Sequence, residues 1–98
     1  MNKKINIIDD EMQPRNKNEI TEAEHELFEK IWHERHLVCI EKEGIESQPK
    51  KGLESAKKIR KKYPKELGPY TDYEWGELSG ALMAIRWVLG NEWGDLDS

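Results

Sequence analysis

Apolar residues fall along this chain in three blocks, each with a helical period. In the first, Ala23, Leu27, Ile31 and Val38 share one stripe at about 100° per residue, and Phe28, Trp32 and Cys39 widen it on one side. Thr21 and Glu24 have the spacing of a capping box, in which each side chain answers a free backbone N–H, and Ile20 stands where a hydrophobic staple would close it. The pattern predicts a helix from Thr21 to about Glu43, stopped by Gly44. In the second block Leu53, Ala56, Ile59 and Tyr63 form the inner side of a helix over 53–63, with an outer side that is nearly all Lys and Arg. Pro49 and Gly52 break the chain before it. Pro64 ends it, because proline lacks the donor and disfavours helix in the residue before it.

Gly68 and Pro69 predict a turn, and the third block opens on a second capping box, Thr71 and Glu74. It runs to about Leu89 and ends at Gly90. From Trp75 to Leu89 only Glu77 and Arg86 are charged, so this helix is expected to be the central element, buried on most sides. Gly76, Gly80 and Ala84 recur at every fourth position, a row that lets another backbone come close. Residues 1–19 are polar, contain Pro14 and hold no period. They are expected to form a flexible arm, with Ile5, Ile7 and Ile8 as a short strand or a contact with a neighbour. The tail from Asn91 to Ser98 carries Trp93 and Leu96 and is expected to fold back. The fold class is therefore all-α: one compact three-helix domain over 20–98. The apolar third helix implies a homo-oligomer, in which subunits cover what one short chain cannot.

Composition sharpens the picture. Ninety-eight residues allow one domain, and 36% hydrophobic against 37% charged residues leave it a thin core, while four Trp argue against disorder. No run of about 18 apolar residues predicts a membrane span. The start, Met1 to Asn6, has two lysines and no apolar stretch after it, so no secretory signal is expected. The single Cys39 excludes an internal disulfide and fits a cytoplasmic setting.

Charge is unevenly spread. Between Lys50 and Lys65, eight cations face only Glu54, a local balance of +7 that leaves −11 on the rest of a chain whose net charge is −4. This split points to an anionic ligand or an acidic partner met by one face, with Lys57, Lys58 and Lys61 steering it. Nucleic acid is not an expected partner, since most of the surface is acidic and no RNA-binding motif is present.

Two arginines stand inside apolar stripes. Arg35 falls between Ile31 and Phe28 on the first helix, and Arg86 between Leu82 and Met83 on the third. A guanidinium there needs a carboxylate, a phosphate or a ring face to offset its desolvation. One reading is an internal pair with Glu24, Asp72, Glu74 or Glu77, or a rim position with the head in solvent. The other is a pocket in which the arginines clamp an anion. Trp32, Tyr70, Tyr73, Trp75, Trp87 and Trp93 supply rings that suit either a core or a stacked base. His25, His33 and His36 lie toward the polar side of the first helix. Without a convincing third ligand no metal site is expected, although His36 beside Arg35 is placed to line a pocket mouth. No nucleophile elbow, phosphate-binding Gly loop or dinucleotide fingerprint occurs, and Cys39 reads as packing. No catalytic residue and no cofactor are assigned.

Two segments, Glu26 to His36 (ELFEKIWHERH) and Leu67 to Ser98, resemble a group of small uncharacterised bacterial and phage proteins that end in a similar Trp-Gly, Arg-Trp-Val-Leu-Gly, Glu-Trp block. No known activity of that group carries over to a residue here. In size and composition the chain is similar to compact helical phage proteins that assemble as oligomers and sequester immune signalling nucleotides. The expected function is non-catalytic binding of a small phosphorylated ligand at Trp32, Arg35, His36, Tyr73, Trp75 and Arg86, as in such an anti-defence sponge. The alternative is an interaction module or inhibitor whose basic helix meets an acidic protein.

Overall fold

The computed structural model of the chain describes residues 12–94. Three helices follow one another: α1, Lys17–Glu43; α2, Lys50–Lys62; and α3, Asp72–Val88. A 3-10 turn, Ile45–Ser47, lies between the first two, and there is no strand among the described residues. The all-α expectation holds. Ile5, Ile7, Ile8 and Leu96 lie outside the described residues.

α1 starts before the expected cap. The Asn16 side chain accepts from the Glu19 N–H at 2.9 Å, and Glu19 Oε1 accepts from the Asn16 N–H at 3.1 Å. This capping box does the work expected of Thr21 and Glu24, about one turn earlier. Residues 17–19, assigned to the arm from sequence, are helical. At the other end Gly44 stops the helix as expected. Its φ of 87° lies in the region that favours glycine, and its N–H donates to the Ile40 carbonyl at 2.8 Å.

α2 also starts earlier than its apolar spacing indicates. Pro49 is its N-cap, where a missing N–H costs nothing, and Gly52 is absorbed in the first turn. Ala56, Ile59 and Tyr63 are buried, as the spacing requires. α3 begins where predicted. Thr71 Oγ1 accepts from the Glu74 N–H at 3.1 Å, and Glu74 Oε1 accepts from the Thr71 N–H at 2.9 Å.

The arrangement of the three corrects one expectation. α1 packs against both α2 and α3, whereas α2 and α3 make no contact with each other. The centre is α1, not the apolar α3. With a single neighbour, α3 buries one side only, through Ser79, Leu82 and Arg86. Tyr73 is 76% exposed and Trp87 53%, and a Cβ added at Gly76 or Gly80 would meet nothing within 4 Å. Apolar composition made α3 look central, but coverage is set by how many neighbours a helix has. Trp93 does fold back, meeting Trp87 edge-on at 5.6 Å.

The caps set clear expectations for stability. Asn16→Ala and Thr71→Ala should each destabilise by about 0.5–2 kcal/mol in urea melts. Thr21→Ala, within the helix, should cost less than about 0.5 kcal/mol. A larger loss at Thr21 than at Asn16 would return the helix start to Thr21.

Candidate functional site

The link between α2 and α3 has to pass close to α1, and Gly68 allows it. A Cβ at Gly68 would stand 2.6 Å from Glu34 Oε1 and 2.7 Å from the Tyr70 backbone nitrogen. The Tyr70 N–H points to Glu34 Oε2 at 3.4 Å, and the Tyr70 hydroxyl donates to the Glu66 carbonyl at 3.0 Å. Burial, with the Glu34 and Glu66 carboxylates nearby, raises the Tyr70 phenol above its usual range, so it stays a donor.

An open cleft of about 450 Å³ results between the C-terminal half of α1 and the start of α3. Val38, Cys39, Tyr70 and Trp75 give it apolar walls, and Glu34, Arg35 and Asp72 give it charge. The Arg35 guanidinium lies over the Trp75 ring, 5.9 Å from its centroid. Glu34 Oε1 is buried and accepts no hydrogen bond among the described residues. Of the six residues singled out from sequence, only Arg35 and Trp75 meet here.

Arg86 lies elsewhere. It is 7% exposed, its Nε donates to Glu24 Oε2 at 3.0 Å, and its guanidinium stands 5.5 Å from the Phe28 ring centroid. Of the two readings of this arginine, the structure shows the internal pair. It ties α3 to α1.

Trp32 and His36 form a third group. Their rings stack at 5.0 Å and 14°, and His36 Nδ1 lies 2.9 Å from Gln48 Oε1. The Gln48 amide nitrogen donates to Ser47 Oγ, so its oxygen faces the imidazole and accepts from Nδ1–H. His33 and His36 are 3% and 4% exposed, although the apolar pattern put both toward the polar side of the helix. The reason is that α1 has a second covered side, closed by α2 and the turn before it. Arg60 Nη1 donates to His33 Nε2 at 3.1 Å. Burial first, then the Arg60 and His36 charges, push the His33 imidazole below the usual histidine range. No three His, Cys, Asp or Glu among the described residues are placed to hold a metal ion.

Tyr73 is exposed and outside the cleft lining. Lys57, Lys58 and Lys61 are exposed on α2, which does not touch α3, so they do not ring the cleft. Sequence reasoning passed over Glu34 and Asp72 as cleft walls. The available signal was the Gly68-Pro69-Tyr70 turn, which brings the chain back beside Glu34.

Comparison with protein families, with curated proteins and with solved structures finds no match to this chain. No helix among the described residues is long and apolar enough to cross a membrane.

The Arg86–Glu24 pair has a direct test. Arg86→Met should lower stability by about 3 kcal/mol, because the mostly covered Glu24 carboxylate is left with only His25 Nε2, 3.7 Å away, beside it. Adding Glu24→Gln should recover part of that loss in a double-mutant cycle. An unchanged urea midpoint for Arg86→Met would mean that the pair does not hold α3 in place.

Proposed function

We propose that this protein is a non-catalytic binding module whose site is the Arg35–Trp75 cleft. The observation that carries this reading is the Arg35 guanidinium standing over the Trp75 ring in an apolar-walled cleft of about 450 Å³. That volume lies within the range of about 300–1,000 Å³ common for small-ligand sites. Arg35 would take one anionic group, and Trp75 and Tyr70 would flank a flat ring. The Asp72 carboxylate in the cleft wall favours a ligand with amino or ring N–H donors. Two carboxylates beside one guanidinium disfavour a polyphosphate. The ligand class is thus a nucleoside carrying a single phosphate, linear or cyclic, which narrows the expected signalling nucleotide. Sequestering it would require tight binding and no chemistry. Arg86, Trp32, His36 and Tyr73 have no part in this site.

Calorimetric titration with a panel of nucleoside monophosphates and cyclic nucleotides tests the proposal. At least one should bind, and Arg35→Lys should weaken it roughly tenfold to a hundredfold, since lysine keeps the charge but loses the planar fork. Silence across the panel would overturn the reading.

A second reading is favoured by the exposed side of α3. Gly80 is the midpoint of Asp72–Val88. Tyr73 and Trp87 lie seven residues to either side, and Gly76 and Ala84 four residues to either side. An antiparallel two-fold through Gly80 would set each Tyr73 on the other copy's Trp87 and small residues on small ones. Such self-complementarity suits a homodimer. The basic face of α2 would remain available for an acidic protein. Under this reading Gly80→Leu should abolish the dimer in sedimentation while leaving the chain's stability intact, because nothing in the same chain stands over Gly80. A wild-type chain that is monomeric at tens of micromolar would overturn it.

A further inference from the structure

α2 is held to α1 by a narrow joint. Its apolar part is Ala56, Ile59 and Tyr63, and four hydrogen bonds frame it. Arg60 donates to His33, His36 meets Gln48, and Glu29 accepts from Lys62 at 3.0 Å and from the Tyr63 hydroxyl at 2.9 Å. Arginine has donors only, so the docked His33 must present a lone pair on Nε2. The docked state therefore contains a neutral imidazole with its proton on Nδ1, and that buried atom has no hydrogen-bond partner among the described residues.

A second proton on His33 would go to Nε2. It would turn an acceptor into a donor facing another donor 3.1 Å away, and set two cations against each other. The surroundings give no relief. From α2 the charged group acting on His33 is Arg60, and from α1 it is His36, whose ring centroid is 6.3 Å away. Glu29, one turn earlier on α1, already accepts from Lys62 and Tyr63. The cavity wall beside His33 is completed by Leu37, Pro64, Leu67 and Gly68, none of them charged.

We propose that His33 is a proton-operated latch. Protonation releases the basic helix α2 from α1, while α3 stays docked through Leu82 and the Arg86–Glu24 pair. The docked imidazole has a lower pKa than the released one, which should titrate near the usual value of about 6.5. Above that pH both states are neutral and docking is at full strength. As pH falls through it, the released state takes up the proton first, and docking weakens. Acid would thus free the helix carrying Lys57, Lys58 and Lys61 without unfolding the α1–α3 pair. The latch is independent of what the cleft binds.

Hydrogen exchange of the full chain at pH 7.5 and pH 5.0, with each rate divided by its intrinsic value, tests this. Protection over 53–62 should fall about tenfold or more at the lower pH, while 75–88 should change by less than about twofold. His33→Gln keeps an oxygen for Arg60 but does not titrate, so it should dock at pH 7.5 and lose the pH response. His36→Gln should keep the response. If His33→Gln fails to dock at pH 7.5, Arg60→Met decides, because removing the opposing cation should shrink the response and leave the part that burial of the imidazole causes. Equal protection at both pH values in the wild type, loss of α2 and α3 together, or an undiminished response in His33→Gln or Arg60→Met would overturn the latch.

Discussion

The constraint that shapes this protein is that α1 must hold two helices that never touch each other. In most small helical domains each helix braces the other two, and a shared apolar centre fixes all three at once. Here the buried apolar residues among those described are Ile31 on α1, Ala56, Ile59 and Tyr63 from the α2 side, and Leu82 on α3. Burying such side chains contributes roughly 1.5–3 kcal/mol each for the larger ones, enough to hold surfaces together but too few contacts to specify one register. Specificity falls to directional polar contacts: Arg86 to Glu24 for α3, and His33, His36 and Glu29 with their partners for α2.

The cleft is a consequence of this layout. α3 has to return to α1 directly after the α2 link, and the chain squeezes past Glu34 at Gly68 to do so. The first turn of α3 is thereby set beside Arg35, with Trp75 beneath the guanidinium and Asp72 in the cleft wall. The same separation keeps the lysines of α2 apart from the cleft. The long-range attraction they exert on anions is screened over about 8–10 Å at ordinary salt, so they cannot substitute for a second clamp.

What the sequence made legible was local. Thr71 and Glu74 mark the start of α3 because a capping box needs only four residues and no partner. Gly44 and Pro64 likewise end helices by their own backbone chemistry. Thr21 and Glu24 misled because Asn16 and Glu19 offer the same motif earlier, and Glu24 is drawn to Arg86 across 62 positions of chain. The covered histidines were illegible for a different reason. Apolar periodicity finds one buried stripe per helix, and the second buried stripe of α1 is made of imidazoles that pass for surface residues until a helix is laid over them. The Arg35–Trp75 contact was only half legible: each residue stood out alone, but their meeting depends on the turn at Gly68.

The two joints of α1 rest on opposite electrostatic conditions. Arg86 and Glu24 attract because both are charged, and the Phe28 ring face adds to the guanidinium's stabilisation in a place with little water. Arg60 and His33 fit because one of them is not charged. A joint of the second kind fails once its neutral member accepts a proton. Since α2 and α3 have no contact through which one could brace the other, loss of the second joint need not propagate to the first. A chain with too little apolar area to lock its helices by packing therefore has its polar contacts as the points where conditions act on it, and those contacts differ from one side of α1 to the other.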